Sequence, residues 1–316
     1  MKISFVIPCY NSSKTVAAVI NSVHKKMLEK PEFEYDIVAV NDESNDDTWE
    51  TLKLLTLRSS HVKAINLSMN RGKHAALLAA FRYADGDIVV AVDDDMQSPI
   101  DELWRLIHPI IEEDYDVSIA KYTKNKKTNI KTLGSSINNF IMRHAFNKPK
   151  DLMFTNFIAR KRFVCKAMVK YENPFPHLEG LTLLVTKRIA QVPMESLQRK
   201  IGKSGYTFKK SFSLLINGLT TFSIKPLRLI GFIGFVLALI NVLLLIGLPI
   251  VNVFVNLEEF WVILMLSMCM FIVNISIVCM GLVAEYIGRA YISINKFPQY
   301  VIREIVETNR DKLDNK

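Results

Sequence analysis

Residues 88–99 read Ile88-Val89-Val90-Ala91-Val92-Asp93-Asp94-Asp95-Met96-Gln97-Ser98-Pro99, a short β-branched run that ends in three carboxylates. Such a run is a buried strand. The helix after it carries its own start signals, with Ser98 for the N-cap, Pro99 for the first position, and Asp101 and Glu102 for the first turn. The triplet is therefore not needed for capping. Its other plain reading, a solvated turn, leaves three adjacent carboxylates repelling one another. A hard cation relieves that repulsion, and oxygen ligands of this kind suit Mg²⁺ or Mn²⁺.

Upstream, Ile3–Ile7, Asp36–Val40 and Val62–Leu67 are further β-branched runs, and helix-period segments lie near 14–29, 47–58, 73–84 and 100–113. This βαβα order predicts a mostly parallel sheet with helices on both faces. Ligands of such sheets sit at the carboxyl ends of the strands. There lie Pro8-Cys9-Tyr10-Asn11, Asn41-Asp42-Glu43-Ser44 and Asp93-Asp94-Asp95-Met96-Gln97. No G-x-G-x-x-G and no G-x-x-x-x-G-K-[ST] occurs in this part, which excludes a Rossmann dehydrogenase and a P-loop enzyme. Any phosphate must be handled by a metal and basic side chains.

Further on, residues 121–131 hold five lysines and no acid, and the plain reading is a solvated basic loop. A helix pattern near 130–146, a strand-like Phe154–Ala159 and a helix near 161–170 follow. Residues 207–222 space apolar side chains at helical intervals and predict a segment lying in a membrane interface.

The chain has 316 residues, 50% of them hydrophobic, and a net charge of +9. That is too apolar for disorder. Leu229 to Leu257 and Phe260 to Ala284 contain no charged residue, and each exceeds the roughly 20 residues that cross a bilayer. Lys225 and Arg228 precede the first stretch, Arg289 and Lys296 follow the second, and only Asn256-Leu257-Glu258-Glu259 separates them. The positive-inside rule then places both ends in the cytoplasm. A basic cytoplasmic part suits anionic headgroups or phosphorylated substrates, and no nucleic-acid partner is expected. Gly231, Gly234 and Gly281 offer small-residue contacts for a homo-oligomer.

The first residues lack a signal-peptide pattern, and Cys9, Cys165, Cys269 and Cys279 have no metal or C-x-x-C spacing. A reducing compartment without structural disulfides is expected. His74 and His177 read as structural, and Trp104 and Trp261 as packing and membrane-anchoring residues.

The whole set resembles the family 2 glycosyltransferases of GT-A fold, and within them the polyprenyl-phosphate glycosyltransferases related to dolichol-phosphate mannose synthase. The motifs follow the family's order: Val6 to Asn11 for V-I-P-x-Y-N, Asp42-Glu43-Ser44-Asn45-Asp46-Asp47-Thr48, and Asn70-Arg71-Gly72-Lys73-His74-Ala75-Ala76. Asp93 to Pro99 matches D-x-D-x-Q-x-P, and Arg199 to Tyr206 matches R-x-x-G-x-S-x-Y. Phe222 to Arg228 and Glu285 to Tyr291 flank the apolar stretches, while Asn156-Phe157 stands where many relatives have Asp-Phe.

The resemblance implies a GT-A catalytic domain over 1–206, a juxtamembrane segment over 207–228, and a hairpin over 229–284 with spans near 229–252 and 260–284. A cytoplasmic tail over 285–316 would follow. It implies that Pro8, Tyr10, Asn11, Asp42, Asp93 and Asp94 bind the nucleotide, with Asp42 on the base or ribose. Asp93, Asp95 and Gln97 would hold Mg²⁺ or Mn²⁺, and Asp93, Asp95 and Arg199 would be catalytic. Arg199, Lys203, Lys121, Lys131 and Ser135 are candidates for the acceptor phosphate. The implied reaction is inverting transfer of a sugar from a nucleotide-sugar donor to polyprenyl (undecaprenyl) phosphate at the inner membrane. Another lipid or polysaccharide acceptor, or a non-catalytic nucleotide-binding subunit, are the alternatives. A processive synthase is disfavoured because no tryptophan follows an arginine as in Q-x-x-R-W.

The chemistry is consistent with these residues. A phosphate monoester acceptor has a second pKa of about 6 and is largely ionised at neutral pH, so no strong base is needed. The requirement is to align two mutually repelling anions, which basic side chains such as Arg199, Lys131 and Lys203 serve.

Overall fold

The computed structural model describes residues 1–122, 148, 149, 151–172, 176–195 and 298–308, with scattered helical residues between 262 and 294. The chain divides into two units, Met1–Leu215 with Phe297–Lys316, and Ile216–Lys296.

The first unit is built on one sheet of β1 (Lys2–Cys9), β2 (Glu34–Asn41), β3 (Val62–Leu67), β4 (Ile88–Ala91), β5 (Val117–Tyr122), β6 (Ile158–Lys161), β7 (Ile189–Met194) and β8 (Ile302–Glu307). Their order across the sheet is β7-β5-β6-β4-β1-β2-β3-β8. Strands β4, β1, β2 and β3 run parallel, as do β5 and β7, whereas β6 and β8 are antiparallel to their neighbours. The helices are α1 (Val16–Met27), α2 (Thr48–Arg58), α3 (Lys73–Tyr83), α4 (Leu103–Glu112), α5 (Arg162–Val169) and α6 (Leu178–Val185).

The central strands are buried on both faces, which is why they read as unbroken apolar runs. Ile3, Phe5 and Ile7 of β1 pack with Val16, Val19 and Ile20 of α1 and with Leu103, Leu106 and Ile107 of α4. The alternate residues Val6, Val38, Val40 and Val89 are just as buried. Helix α3 lies against β1 and β2 and is buried continuously from Ala75 to Phe81, its alanines allowing close approach to the sheet. Gly86 is required by another close approach, since a Cβ there would stand 2.6 Å from the Ser4 backbone nitrogen.

The four parallel strands and α1, α2 and α3 lie within two residues of the expected places, and α4 starts three residues later, at Leu103. The strand expected from Phe154 starts instead at Ile158, and ahead of it Thr155 Oγ1 donates to Ala120 O at 2.7 Å. Ser98 is not an N-cap. Its hydroxyl accepts the Asp93 N–H at 3.1 Å, and a 3₁₀ turn over Ile100–Glu102 leads into α4. Within the stretch expected to be a tail, β8 adds to the β3 edge, with Ser68 N–H donating to Val301 O at 2.8 Å and Arg303 Nη2 to Ser68 O at 3.1 Å.

In the second unit the described helical residues expose Val262, Met265, Ile272, Met280, Val283 and Ile287. Among the described residues no helix is long and apolar enough to cross a membrane. The helix expected over 130–146, the segment 207–228 and most of both expected spans lie outside the described residues.

Candidate active site at the carboxyl edge of the sheet

The loops leaving β1, β2, β3 and β4 meet at one edge of the sheet. Each holds a residue in the left-handed region: Asn11 at φ 52°, Glu43 at 51°, Gly72 at 86° and Met96 at 64°. Such conformations persist only where the surroundings over-determine them, and here the loops bind one another. Asn11 N–H donates to Ser44 Oγ at 2.9 Å, and Asn45 N–H returns a bond to Asn11 Oδ1 at 2.9 Å. Beneath them, Asn41 Nδ2 donates to Asn66 Oδ1 at 2.9 Å, tying β2 to β3.

Asp42, 3% exposed, anchors the β3–α3 loop. Its Oδ1 accepts the Arg71 N–H at 2.8 Å and its Oδ2 the Gly72 N–H at 2.7 Å, while its carbonyl accepts from Asn70 Nδ2 at 3.0 Å. Burial raises the Asp42 pKa, and the two amides oppose that rise. Each carboxylate oxygen keeps acceptor capacity for a ligand. Glu43 continues the clamp, with Oε2 accepting the Asn70 N–H at 3.0 Å and Oε1 lying 3.7 Å from Arg303 of β8.

The acidic turn after β4 assigns its three carboxylates differently. Asp93 is nearly buried, and its Oδ1 holds the Lys73 ammonium. Asp94 faces back, its Oδ2 accepting the Tyr10 N–H at 3.0 Å. Burial raises the Asp94 pKa against the pull of the Tyr10 amide, and repulsion from Asp93 and Asp95 adds to the rise. Asp95 Oδ1 accepts the Gln97 N–H at 3.1 Å across the left-handed Met96. Tyr122, at the end of β5, has its hydroxyl pushed up to about 12 by burial and then by the charges of Asp93 and Asp95. The hydroxyl is protonated at neutral pH and can donate a hydrogen bond.

Pro8 is buried in β1 beside Val40 of β2, and Tyr10 is exposed. Pro8, Tyr10, Asn11, Asp42, Asp93, Asp94 and Asp95 thus share one edge. Lys121 lies on β5, opposite Pro193 of β7. Lys131, Ser135, Arg199 and Lys203 lie outside the described residues. Sequence reading missed Lys73, Tyr122 and the Arg71 and Gly72 amides. The Asn70-Arg71-Gly72-Lys73 motif was the available signal, but its partners lie on other loops.

Among the described residues no three His, Cys, Asp or Glu side chains converge as a metal cage. Asp93 and Asp95 nevertheless stand on one turn, and that turn already accepts a positive charge from Lys73. Mg²⁺ is commonly held by one or two carboxylates with substrate phosphates completing its shell. The residues fit a hard divalent cation shared with a diphosphate.

His74 and His177 bind backbone amides. His74 Nδ1 accepts the Leu178 N–H at 3.2 Å, and His177 Nδ1 accepts the Gly180 N–H at 3.1 Å as the cap of α6. Burial, then the neighbouring His177 and Lys73, lower the His74 pKa to about 3, so its ring is neutral.

The family model for Glycosyl transferase family 2 matches residues 4–168. Over 312 residues the chain is 29% identical to the undecaprenyl-phosphate 4-deoxy-4-formamido-L-arabinose transferase of Proteus mirabilis (strain HI4320), covering 96% of this chain and 94% of that one. It is 30% identical to the protein named "Putative glycosyltransferase CsbB" of Bacillus subtilis (strain 168), over 98% of this chain and 93% of the relative. Among solved structures it matches glucosyl-3-phosphoglycerate synthase from Mycobacterium tuberculosis, crystallised with Mn²⁺, UDP-glucose and phosphoglyceric acid. There the TM-score is 0.52 at 17% identity, covering 70% of this chain and 78% of that one. At that identity the likeness speaks to the fold, which is GT-A-like.

Proposed function

The chain belongs to glycosyl transferase family 2, and from that premise we propose that it moves a sugar from a nucleotide-sugar donor to polyprenyl phosphate, with inversion, at the cytoplasmic face of a membrane. The observation that carries the donor half is the acidic turn Asp93-Asp94-Asp95, whose Asp93 pairs with Lys73, at the carboxyl edge of four parallel strands. The acceptor half rests on the relative of Proteus mirabilis, whose name specifies undecaprenyl phosphate and whose likeness extends over 96% of this chain.

In this reading Tyr10, Asn11 and the Asp42 clamp receive the nucleotide. Asp93 and Asp95, with Gln97, would hold Mg²⁺ or Mn²⁺, which would supply Lewis-acid stabilisation of the departing diphosphate. An oxygen of the acceptor phosphate forms the bond to the anomeric carbon as the bond from that carbon to the diphosphate breaks, and the nucleoside diphosphate leaves with the electron pair. A single displacement inverts the anomeric centre. Arg199, Lys203, Lys121, Lys131 and Ser135 are the residues to position the acceptor phosphate.

The bilayer reading is supported by the two uncharged stretches and by the apolar side chains exposed on helical residues between 262 and 294. A reporter placed after Lys316 should be cytoplasmic and one beside Glu258 external. The reverse labelling would overturn the compartment. The decisive assay uses the full chain in detergent, undecaprenyl phosphate and a panel of radiolabelled UDP- and GDP-sugars. A lipid-linked sugar is expected with at least one donor. Donor binding with no lipid product from any of them would sink the acceptor assignment.

A further inference from the structure

Lys73 opens α3 directly after Gly72, so the loop that Asp42 clamps also sets where the lysine begins. Its ammonium rests on Asp93 Oδ1, with the lysine side chain 38% exposed and the carboxylate 12% exposed. The pair therefore sits at the mouth of the site. Asp93 is flanked by Asp94 and Asp95. A carboxylate so placed and so little hydrated needs a nearby positive charge.

We propose that Lys73 is the resident counter-cation of Asp93, occupying the carboxylate that the divalent cation needs and yielding it when a nucleoside diphosphate arrives. Metal and donor then load together. The proposal rests on the metal reading of the acidic turn given above.

The reasons are electrostatic. A divalent cation binding alone must displace the ammonium from Asp93 and bring two positive centres together beside one turn. It would also have few protein ligands, because no third acidic or histidine side chain converges there among the described residues. A diphosphate removes both penalties. Its oxygens complete the cation's shell, and its charge accepts the displaced ammonium, which a flexible lysine stem can carry over a short distance. Because coupling between two ligands is reciprocal, the metal must tighten the diphosphate by the same factor.

The test is Mn²⁺ binding to the full chain in detergent, followed by electron paramagnetic resonance and calorimetry, alone and with UDP or GDP. In the unsubstituted protein Mn²⁺ should bind weakly alone and at least tenfold more tightly with the nucleotide. Lys73→Met removes the competitor, so Mn²⁺ alone should bind about tenfold or more tightly, the order expected for one charge-assisted contact, while the gain from nucleotide shrinks. Lys73→Arg keeps the charge and should keep the coupling. If Lys73→Met does not fold, Lys73→Gln serves as the neutral variant. Unchanged or weaker binding of Mn²⁺ alone by the neutral variant overturns the proposal and leaves the metal reading standing. No Mn²⁺ binding by the unsubstituted protein with either nucleotide overturns both.

Discussion

Gly72 donates its amide to Asp42 Oδ2 at 2.7 Å from a backbone φ of +86°. With ψ at 163°, this is a region open essentially to glycine alone. The neighbouring amide of Arg71 reaches the other oxygen at 2.8 Å, so one buried carboxylate holds two successive N–H groups of the β3–α3 loop. The loop cannot relax to an ordinary conformation without breaking that pair.

Gly72→Ala should therefore act through the backbone, since a Cβ there meets nothing within 4 Å. The expected cost is about 1–3 kcal/mol, felt as loop rearrangement and weaker nucleotide binding with the domain still folded. Thermal unfolding and nucleotide titration on the same preparation check this. Full nucleotide affinity in the variant would show that the clamp does not shape the donor site.

Asp42→Asn keeps the shape but turns an NH₂ group toward one of two N–H donors. Loss of a charge-assisted bond costs about 1.5–3 kcal/mol, or roughly one to two decades in affinity. Donor affinity should fall, and the KM for polyprenyl phosphate should change little. Separate titrations of donor and acceptor decide the point, and an effect confined to the acceptor would refute the donor role.

Removing the divalent cation with excess chelator should stop transfer, and Mg²⁺ or Mn²⁺ should restore it. Asp95→Ala should abolish transfer while circular dichroism remains that of the folded domain. Transfer at full rate in chelator would overturn the metal assignment.

The buried histidine predicts a pH effect of definite sign. In the folded chain the His74 pKa lies at about 3, whereas an unfolded histidine titrates near 6.5. Between these values the unfolded state binds the extra proton, so stability is complete above about pH 6.5 and is lost as pH falls toward 3. The loss amounts to a few kcal/mol at most. Asp42 and Asp94, whose pKa values are raised by burial, act in the opposite sense at the acid end. His74→Asn preserves an acceptor for the Leu178 amide and should flatten the fall in melting temperature between pH 6.5 and 4.5. An equal slope in both proteins would show that His74 is not the group being charged.

The sequence alone determined the alternation of strands and helices, the parallel sheet, and the acids and asparagines at its carboxyl edge. These are local matters. A strand buried on both faces must be a short apolar run, and a residue that ends it must lie at the edge. The same locality carried the family motifs, because each is a contiguous loop whose composition suits one turn.

Partner choice was decided only by tertiary structure. Lys73 and Asp93 are 20 residues apart, and the amides bound by Asp42 lie 29 and 30 residues beyond it. Which of three adjacent aspartates meets a lysine, a backbone amide or the next turn depends on the register of β1, β2, β3 and β4. Strand β8 was hidden for a related reason. Ile302-Arg303-Glu304-Ile305-Val306-Glu307 has no strict alternation, and as an exposed edge it buries too little apolar surface to need one. It becomes a strand through the backbone bonds that β3 offers, and those exist only once the sheet is assembled.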